Sequence, residues 1–404
     1  MQVLNDNIAK IKINDHFNKQ LGNIYNEVVN IAGEPFNITS KGKIGKLNPE
    51  FWARLYVTLV KTAYDSYEQV LRAYDTVTGC YQRINRYHLI HFISNILAEL
   101  HRPRIGHSCE KDMLTLISQY STKDNVFTTF PPYLHVNNGV LVCGDDGSVS
   151  LVDESPSFYS LNRIGYDYNS EATCPRFLNE VLKTCLHDDD IEVLQKFLGA
   201  CLKSDIPLKQ FLVLNGQGDE REGLLGMVIR EIFGGGNNFA NFDLFLKKDV
   251  MTVWKNGNDV FPRRIAVCLY TPNDVLGSRR FPFIHSLCLG EGLKIRNESK
   301  KRLYIFDGYY KVILPVMDTL IPKSSIDKAS LRKSLLLLNL DTNDVIFPYY
   351  EYTEQLLKDE ASGIINWAIE GYRKLLSDLK ETGNYIKLSN RQTKLLGRFI
   401  NSIK

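Results

Sequence analysis

Phe211-Leu212-Val213-Leu214 runs into Asn215-Gly216-Gln217-Gly218-Asp219-Glu220-Arg221-Glu222-Gly223 and then into the apolar-periodic stretch Leu224 to Phe233, and this is the part of the chain that decides its architecture. A short apolar run bounded by polar residues reads as a buried strand, the glycines as a tight turn, and the spacing that follows as a helix. Strand, glycine-bearing loop and helix in that order open an α/β nucleotide-binding core. Three more buried strands suit the same sheet: Arg264 to Tyr270, Tyr310 to Val316 and Leu335 to Leu340. Between the first two of these, Leu293 to Arg296 and Lys301 to Phe306 read as the arms of a β-hairpin with a basic tip.

Upstream of the core the signals are mainly helical. Helical spacing covers Leu4 to Ala32 and stops at Gly33-Glu34-Pro35, and a Gly- and Lys-rich piece from Ile38 to Leu47 reads as a linker. Further helices are expected over Phe51 to Tyr64, Tyr87 to Leu100, Met113 to Tyr120, Arg176 to Leu186 and Ile191 to Leu202. One β-rich interruption breaks this run: Val136 to Val142 meets Ser148 to Val152 across Asp145-Asp146-Gly147, which has hairpin chemistry. From Glu354 the chain is helical again, with Gly383-Asn384 dividing two segments, and no internal repeat is visible. The expected division is a helical segment and linker at 1–47, a head at 48–204, an α/β core at 205–345 and a helical tail at 346–404.

A chain of 404 residues exceeds one ordinary core, and 44% hydrophobic with 24% charged residues is a globular composition. The net charge of +3 is nearly balanced, so a nucleic-acid surface has to be a local patch. Eight cysteines lie scattered in apolar runs with no CxxC pair, as reduced thiols in a cytosolic protein do. Met1 to Ile13 lacks the apolar core of a signal peptide, and no run of residues is long and apolar enough to span a membrane. His88, His91, His101, His107 and Cys109 cluster loosely without closing a tetrahedral set, so no metal is expected.

Several motifs are collinear with a known family. Tyr74-Asp75 with Gly79 and Tyr81, Asn138-Gly139-Val140-Leu141, Ser155-Pro156, Tyr166-Asp167-Tyr168, Ala172-Thr173-Cys174-Pro175, Leu194 to Gly199, and Asp359-Glu360 with Gly363-Ile364 and Trp367 follow one another in that family's order. Together they resemble the phage, plasmid and poxvirus primase-helicase family. The resemblance implies a superfamily 3 AAA+ helicase core with a mainly helical head and a helical tail. It further implies ATP and Mg²⁺ as ligands, DNA as partner and a hexameric ring. A primase or primase-polymerase domain would be attached in cis or in trans, in the cytoplasm of a phage- or plasmid-bearing host cell. No primase catalytic motif is visible in this chain.

The nucleotide site departs from that pattern. A phosphate loop needs glycines that turn backbone N–H groups inward, a Lys for the β and γ charges and a Ser or Thr for Mg²⁺. Gly216 and Gly218 stand, but Glu222 occupies the Lys position and Gly223 the hydroxyl position. A carboxylate at about 4 Å from a phosphate repels it by roughly 4 kcal/mol per unit charge at an effective dielectric near 20. Asp219 and Glu220 add to this, and Arg221 is the one cation of the loop. The second strand ends in Tyr270 where the family has Glu, with Asp274 the nearest acid; His285 replaces a Lys, Glu291 replaces an Asp, and Asp318 replaces the sensor Asn. Arg332 and Lys333 match the family's basic pair that reaches a neighbour's nucleotide.

For DNA, Lys294, Arg296, Lys300, Lys301 and Arg302 of the hairpin are phosphate candidates and Tyr304 a stacking candidate; a solvated turn is the plain alternative. Arg279-Arg280 is a second basic pair, and the aromatic run Phe347 to Tyr352 reads as packing of the tail. Three functions stay open at this level: a DNA-clamping module of a primase-polymerase, an active helicase with an unorthodox nucleotide site, and a regulator of an active helicase ring.

Overall fold

The computed structural model describes residues 14–38, 44–65, 70–97, 106–121, 126–127, 132–203, 205–216, 221–234, 239–241, 265–267, 271–279, 281–291, 293–297, 302–306, 309–316, 318–341 and 349–403. The chain divides into two compact units, one formed by Met1–Phe127 with Ser155–Leu161 and the other by Thr128–Glu154 with Asn162–Lys404. This division cuts across the segment 48–204 expected as one head, and it puts the C-terminal helices in the same unit as the α/β sheet.

The first unit begins with α1 (Asn23–Ala32), which ends at Gly33, a residue at φ 77 that a side chain would strain. The stretch read as a linker instead forms an antiparallel pair, β1 (Phe36–Ile38) and β2 (Ile44–Leu47). Asn48 then starts α2 (Pro49–Leu59): its Oδ1 accepts from the Glu50 N–H at 3.2 Å, while its amide donates back to Ala32 O and Glu34 O. The helix expected to run to Tyr64 stops at Leu59, and a meander of β3 (Thr62–Asp65), β4 (Val70–Asp75) and β5 (Cys80–Arg83) follows. Helices α3 (Arg86–Leu97) and α4 (His107–Tyr120) complete the unit. Phe17, Phe51, Trp52, Ile93, Met113 and Ile117 are fully enclosed at its centre.

The second unit opens with three antiparallel strands, β6 (Tyr133–Val136), β7 (Gly139–Cys143) and β8 (Val149–Val152). The expected long first arm is therefore two strands, because Asn137-Asn138 form a turn and Gly139 sits at φ 149 with Val152 O pressed against the place of its missing Cβ. After a π-helical turn at Phe177–Leu182 comes α5 (Asp188–Leu202), on which every residue from Val193 to Leu202 is buried. The two polar side chains of that buried stretch are paired, Gln195 with Trp367 O and Lys196 with Asp378, as burial of polar groups requires.

The α/β sheet contains β9 (Phe211–Asn215), β10 (Phe239–Asn241), β11 (Ile265–Val267), β14 (Lys311–Val316) and β15 (Leu335–Asn339), in the spatial order β10-β11-β14-β9-β15. All neighbours are parallel, with Leu212 level with both Ile313 and Leu336. β9, β14 and most of β15 are buried, as an all-parallel sheet covered on both faces requires. Helix α6 (Arg221–Gly234) follows β9, and α7 (Phe281–Leu289) precedes the separate antiparallel pair β12 (Leu293–Asn297) and β13 (Arg302–Phe306). Helix α8 (Lys328–Ser334) leads into β15. The 34-residue α9 (Tyr349–Thr382) packs along α5, and α10 (Asn390–Ser402) closes the chain behind a Ser389/Gln392 capping box. No described helix is long and apolar enough to cross a membrane.

Candidate functional site

Ligands of open parallel sheets sit beyond the carboxyl ends of the strands where the strand order reverses, because the loops there leave in opposite directions and open a crevice. Here that place is the end of β9, between β14 and β15. It is occupied by side-chain and backbone bonds of the chain itself. Asn215 Nδ2 donates to Asn339 Oδ1 at 2.7 Å, Asn215 Oδ1 accepts from the Leu320 N–H at 2.7 Å, and its carbonyl accepts from the Leu340 N–H. The Gly216 N–H donates to Val316 O at 2.8 Å. Asn215 thus ties the end of β9 to the end of β15 and to the segment that follows β14, and the first loop N–H is already spent on β14.

The other loop candidates are only partly described. Gly218 lies outside the described residues, as does Tyr270; Arg221 and Glu222 stand in the first turn of α6, and Gly223 is buried behind them. Asp274 and Asp318 are both exposed, Asp274 just ahead of a short 3₁₀ turn. His285 is 5% exposed and its Nε2 lies 2.8 Å from Ser334 Oγ. Since the single Ser334 hydroxyl proton goes to Ser330 O, the imidazole is the donor in that contact. Burial pushes the His285 pKa down despite the charges of Glu291 and Asp327, so the ring is neutral and serves the packing of α7 on α8. Glu291 accepts from Ser286 Oγ at 2.7 Å.

Arg332 and Lys333 lie in the last turn of α8, immediately before the amino end of β15. The five residues of β15 span about 16 Å, so the pair sits at the amino end of the strands, opposite the end that carries Gly216. Both side chains are exposed, and Arg332 Nη2 reaches Asn401 Oδ1 at 3.4 Å.

The expected basic hairpin is present as a strand pair. Lys294 is opposite Ile305 and Arg296 opposite Leu303, whereas Ile295 is opposite Tyr304 and Asn297 opposite Arg302. By this register the positions of Lys294 and Arg296 alternate with those of Arg302 and Tyr304, so the candidates divide between the two faces of the ribbon. Lys300 and Lys301, with the turn, fall outside the described residues.

The residues that carry the family resemblance in the second unit converge on one structural joint. Asn138 clamps Tyr168 through both its N–H and its carbonyl, and Asn137 donates to Asp167 at 2.7 Å. Ser362 and Asn366 of α9 hold the Asn169 to Ala172 turn, and the Glu360 carboxylate accepts the N–H groups of Arg176 at 3.0 Å and Phe177 at 2.9 Å. Trp367 meets Phe177 edge to face. A Cβ on Gly363 would come within 2.2 Å of Thr173 O, and one on Gly371 within 2.0 Å of Gln195 O. In this chain these residues serve the close packing of α9 on the turn at Asn169 to Cys174 and on α5.

His91 and Asn95 bond each other, His88 accepts from Asn85, and no group of metal-binding side chains exists among the described residues. A cavity of about 930 Å³ opens between α6, the N-terminal half of α9 and the turn at Tyr166, where the acids Asp167, Glu231, Glu351, Glu354 and Asp359 outnumber the cations Arg230 and Lys358. Sequence reading did not find it, because its walls come from segments far apart in the chain. Its negative lining opposes a polyanion.

No protein-family profile matches the chain, and no curated protein matches it. Solved structures do. The apo structure of the NrS-1 C-terminal region (305–718) superposes with a TM-score of 0.52 at 11% identity, over 88% of this chain and 76% of that one. The A form apo structure of the same region superposes with a TM-score of 0.49 at 9% identity, over 86% of this chain and 74% of that one. At such identity the likeness is one of fold.

Proposed function

We propose that the chain is a helicase-like module of a phage or plasmid DNA-replication protein, with a superfamily 3 AAA+-type core whose ATP site is degenerate. It binds DNA, assembles as a hexameric ring and serves a primase-polymerase in cis or in trans. The observation that carries this reading is the parallel sheet with β9 at the reversal of strand order, followed by a glycine loop and a helix. The fold likeness to the NrS-1 C-terminal region supports it.

Loss of the ATP site is supported by Glu222 and Gly223 at the Lys and hydroxyl positions and by the engagement of Asn215, Gly216 and His285 in bonds within the fold. A ring is supported by the place of Arg332 and Lys333, exposed and too far from the chain's own loop to serve it. AAA+ rings close through heterologous interfaces, which do not themselves require hydrolysis. DNA is assigned to the hairpin bearing Lys294, Arg296, Lys300, Lys301, Arg302 and Tyr304.

Calorimetric titration of the purified chain with ATP and Mg²⁺, beside light scattering, tests both halves. The expected outcome is a ring-sized particle with no heat of nucleotide binding. DNA-stimulated turnover abolished by Arg332→Ala, or a monomer at micromolar concentration with and without DNA, would overturn the corresponding half.

A further inference from the structure

Helices α8 and α10 come together at the amino end of the sheet, and their outer faces carry Lys328, Arg332, Lys333, Lys394 and Arg398, all exposed. Arg332 touches Asn401, which lies three residues beyond Arg398 and seven beyond Lys394 on α10. Residues at those intervals share one helix face, so the basic row of α10 runs toward the end of α8. None of the five cations forms an ion pair with a described acid. Other cations of the same unit are matched, as in Arg176 with Asp359 and Arg391 with Asp189, and the exposed Lys209, Lys323 and Lys358 are single charges rather than members of a row. The nearest acid along α8, Asp327, is the helix cap and accepts from the Ser330 N–H.

The two helices are anchored to the fold by their inner faces. Leu331 and Ser334 anchor α8, and Leu396 and Ile400 anchor α10, whose first turn is pinned by Arg391 on Asp189. We propose that the α10 side of this face holds the phosphodiester backbone of a single-stranded polynucleotide, with Lys394 and Arg398 as the phosphate contacts and Arg332 and Lys333 left to the neighbouring subunit. The inference deepens the replication reading and rests on it. The five positive charges lie in a chain whose net charge is only +3, so they form a local concentration rather than part of a general field. The acid-lined cavity of a second copy is the competing occupant, and the test separates the two.

Anisotropy of a labelled single-stranded DNA oligonucleotide is titrated with the full chain, with Lys394→Ala/Arg398→Ala and with Lys294→Ala/Arg296→Ala, each over a range of salt. All four side chains of the two variants are chosen for phosphate contact, and loss of two such contacts lowers the salt slope by about 1.4. We expect that fall for Lys394→Ala/Arg398→Ala, with an unchanged melting temperature because both positions are exposed. A parent-like affinity and slope in this variant overturn the inference and leave the replication reading standing. A drop in sedimentation mass with unchanged DNA binding assigns the face to a second copy and also overturns it. Absence of DNA binding by the parent chain at low salt overturns both.

Discussion

Lys196 Nζ lies 2.7 Å from the Asp378 carboxylate, joining α5 to α9 across 182 residues of sequence with both side chains nearly enclosed. Burial works against the ammonium, yet the hydrogen bonds to Asp378 and Glu192 outweigh it and hold the Lys196 pKa above the ordinary lysine value. The Lys387 N–H also donates to Asp378. Removing one member of a buried pair strands the other, so Asp378→Ala is expected to cost about 3 kcal/mol, read as a shift of the urea midpoint. Glu192 at 2.6 Å keeps the loss from being larger. A loss under about 1 kcal/mol would mean that the pair is solvated.

Glycines in two helices give predictions of opposite sign. A Cβ on Gly371 would meet backbone atoms of Gln195, whereas one on Gly397 meets nothing within 4 Å. Gly371→Ala therefore forces α9 away from α5 and is expected to destabilise by about 1–3 kcal/mol. Gly397→Ala, in the middle of α10, is expected to stabilise by about 0.5–1 kcal/mol through helix propensity alone. Thermal melts of the two variants beside the parent check both signs.

His285 makes folding sensitive to mild acid. Its folded-state pKa is depressed below 6.5 by burial, so the unfolded chain takes up a proton that the folded chain refuses. Stability from this group is complete above pH 6.5 and is lost progressively as pH falls from there toward the depressed value. His285→Gln retains an N–H donor for Ser334 and cannot titrate. Unfolding midpoints measured as pH is lowered below 6.5 should decline more steeply for the parent than for this variant, and parallel curves would contradict the assignment.

The proposed reading of the loop after β9 as a lost phosphate site predicts a gain of function. Glu222→Lys with Gly223→Ser replaces a repulsion of about 4 kcal/mol per unit charge by an attraction of similar size. Measurable binding of ATP with Mg²⁺ by this double variant, against none for the parent, is the expected result. Equal binding by both would show that Glu222 is remote from the phosphates.

What the sequence shows and what it hides follows from the range of the interactions. β9, β14 and β15 are readable because a strand buried on both faces is a continuous apolar run, and α6 because its periodicity follows directly. The meander β3 to β5 is not, since its strands have four to six residues and their pairing depends on Tyr74 meeting Tyr81 across a turn. The proposed loss of the nucleotide site at Glu222 and Gly223 is a reading of single residues in the sequence. The Asn215 to Asn339 bond, linking residues 124 apart, has no local pattern to betray it. The Glu360 cap was visible only as a shared motif, and its role as acceptor for Arg176 and Phe177 emerges from the packing of α9.

The central claim is that a helicase-type fold here holds DNA without using ATP. Anisotropy of a labelled single-stranded oligonucleotide, titrated with the full chain at low salt with and without ATP and Mg²⁺, tests it most directly. The account predicts saturable binding that weakens steeply with salt and is the same in both series, with no phosphate released. Binding that appears only with ATP, accompanied by phosphate release, or no binding in either series, would contradict it.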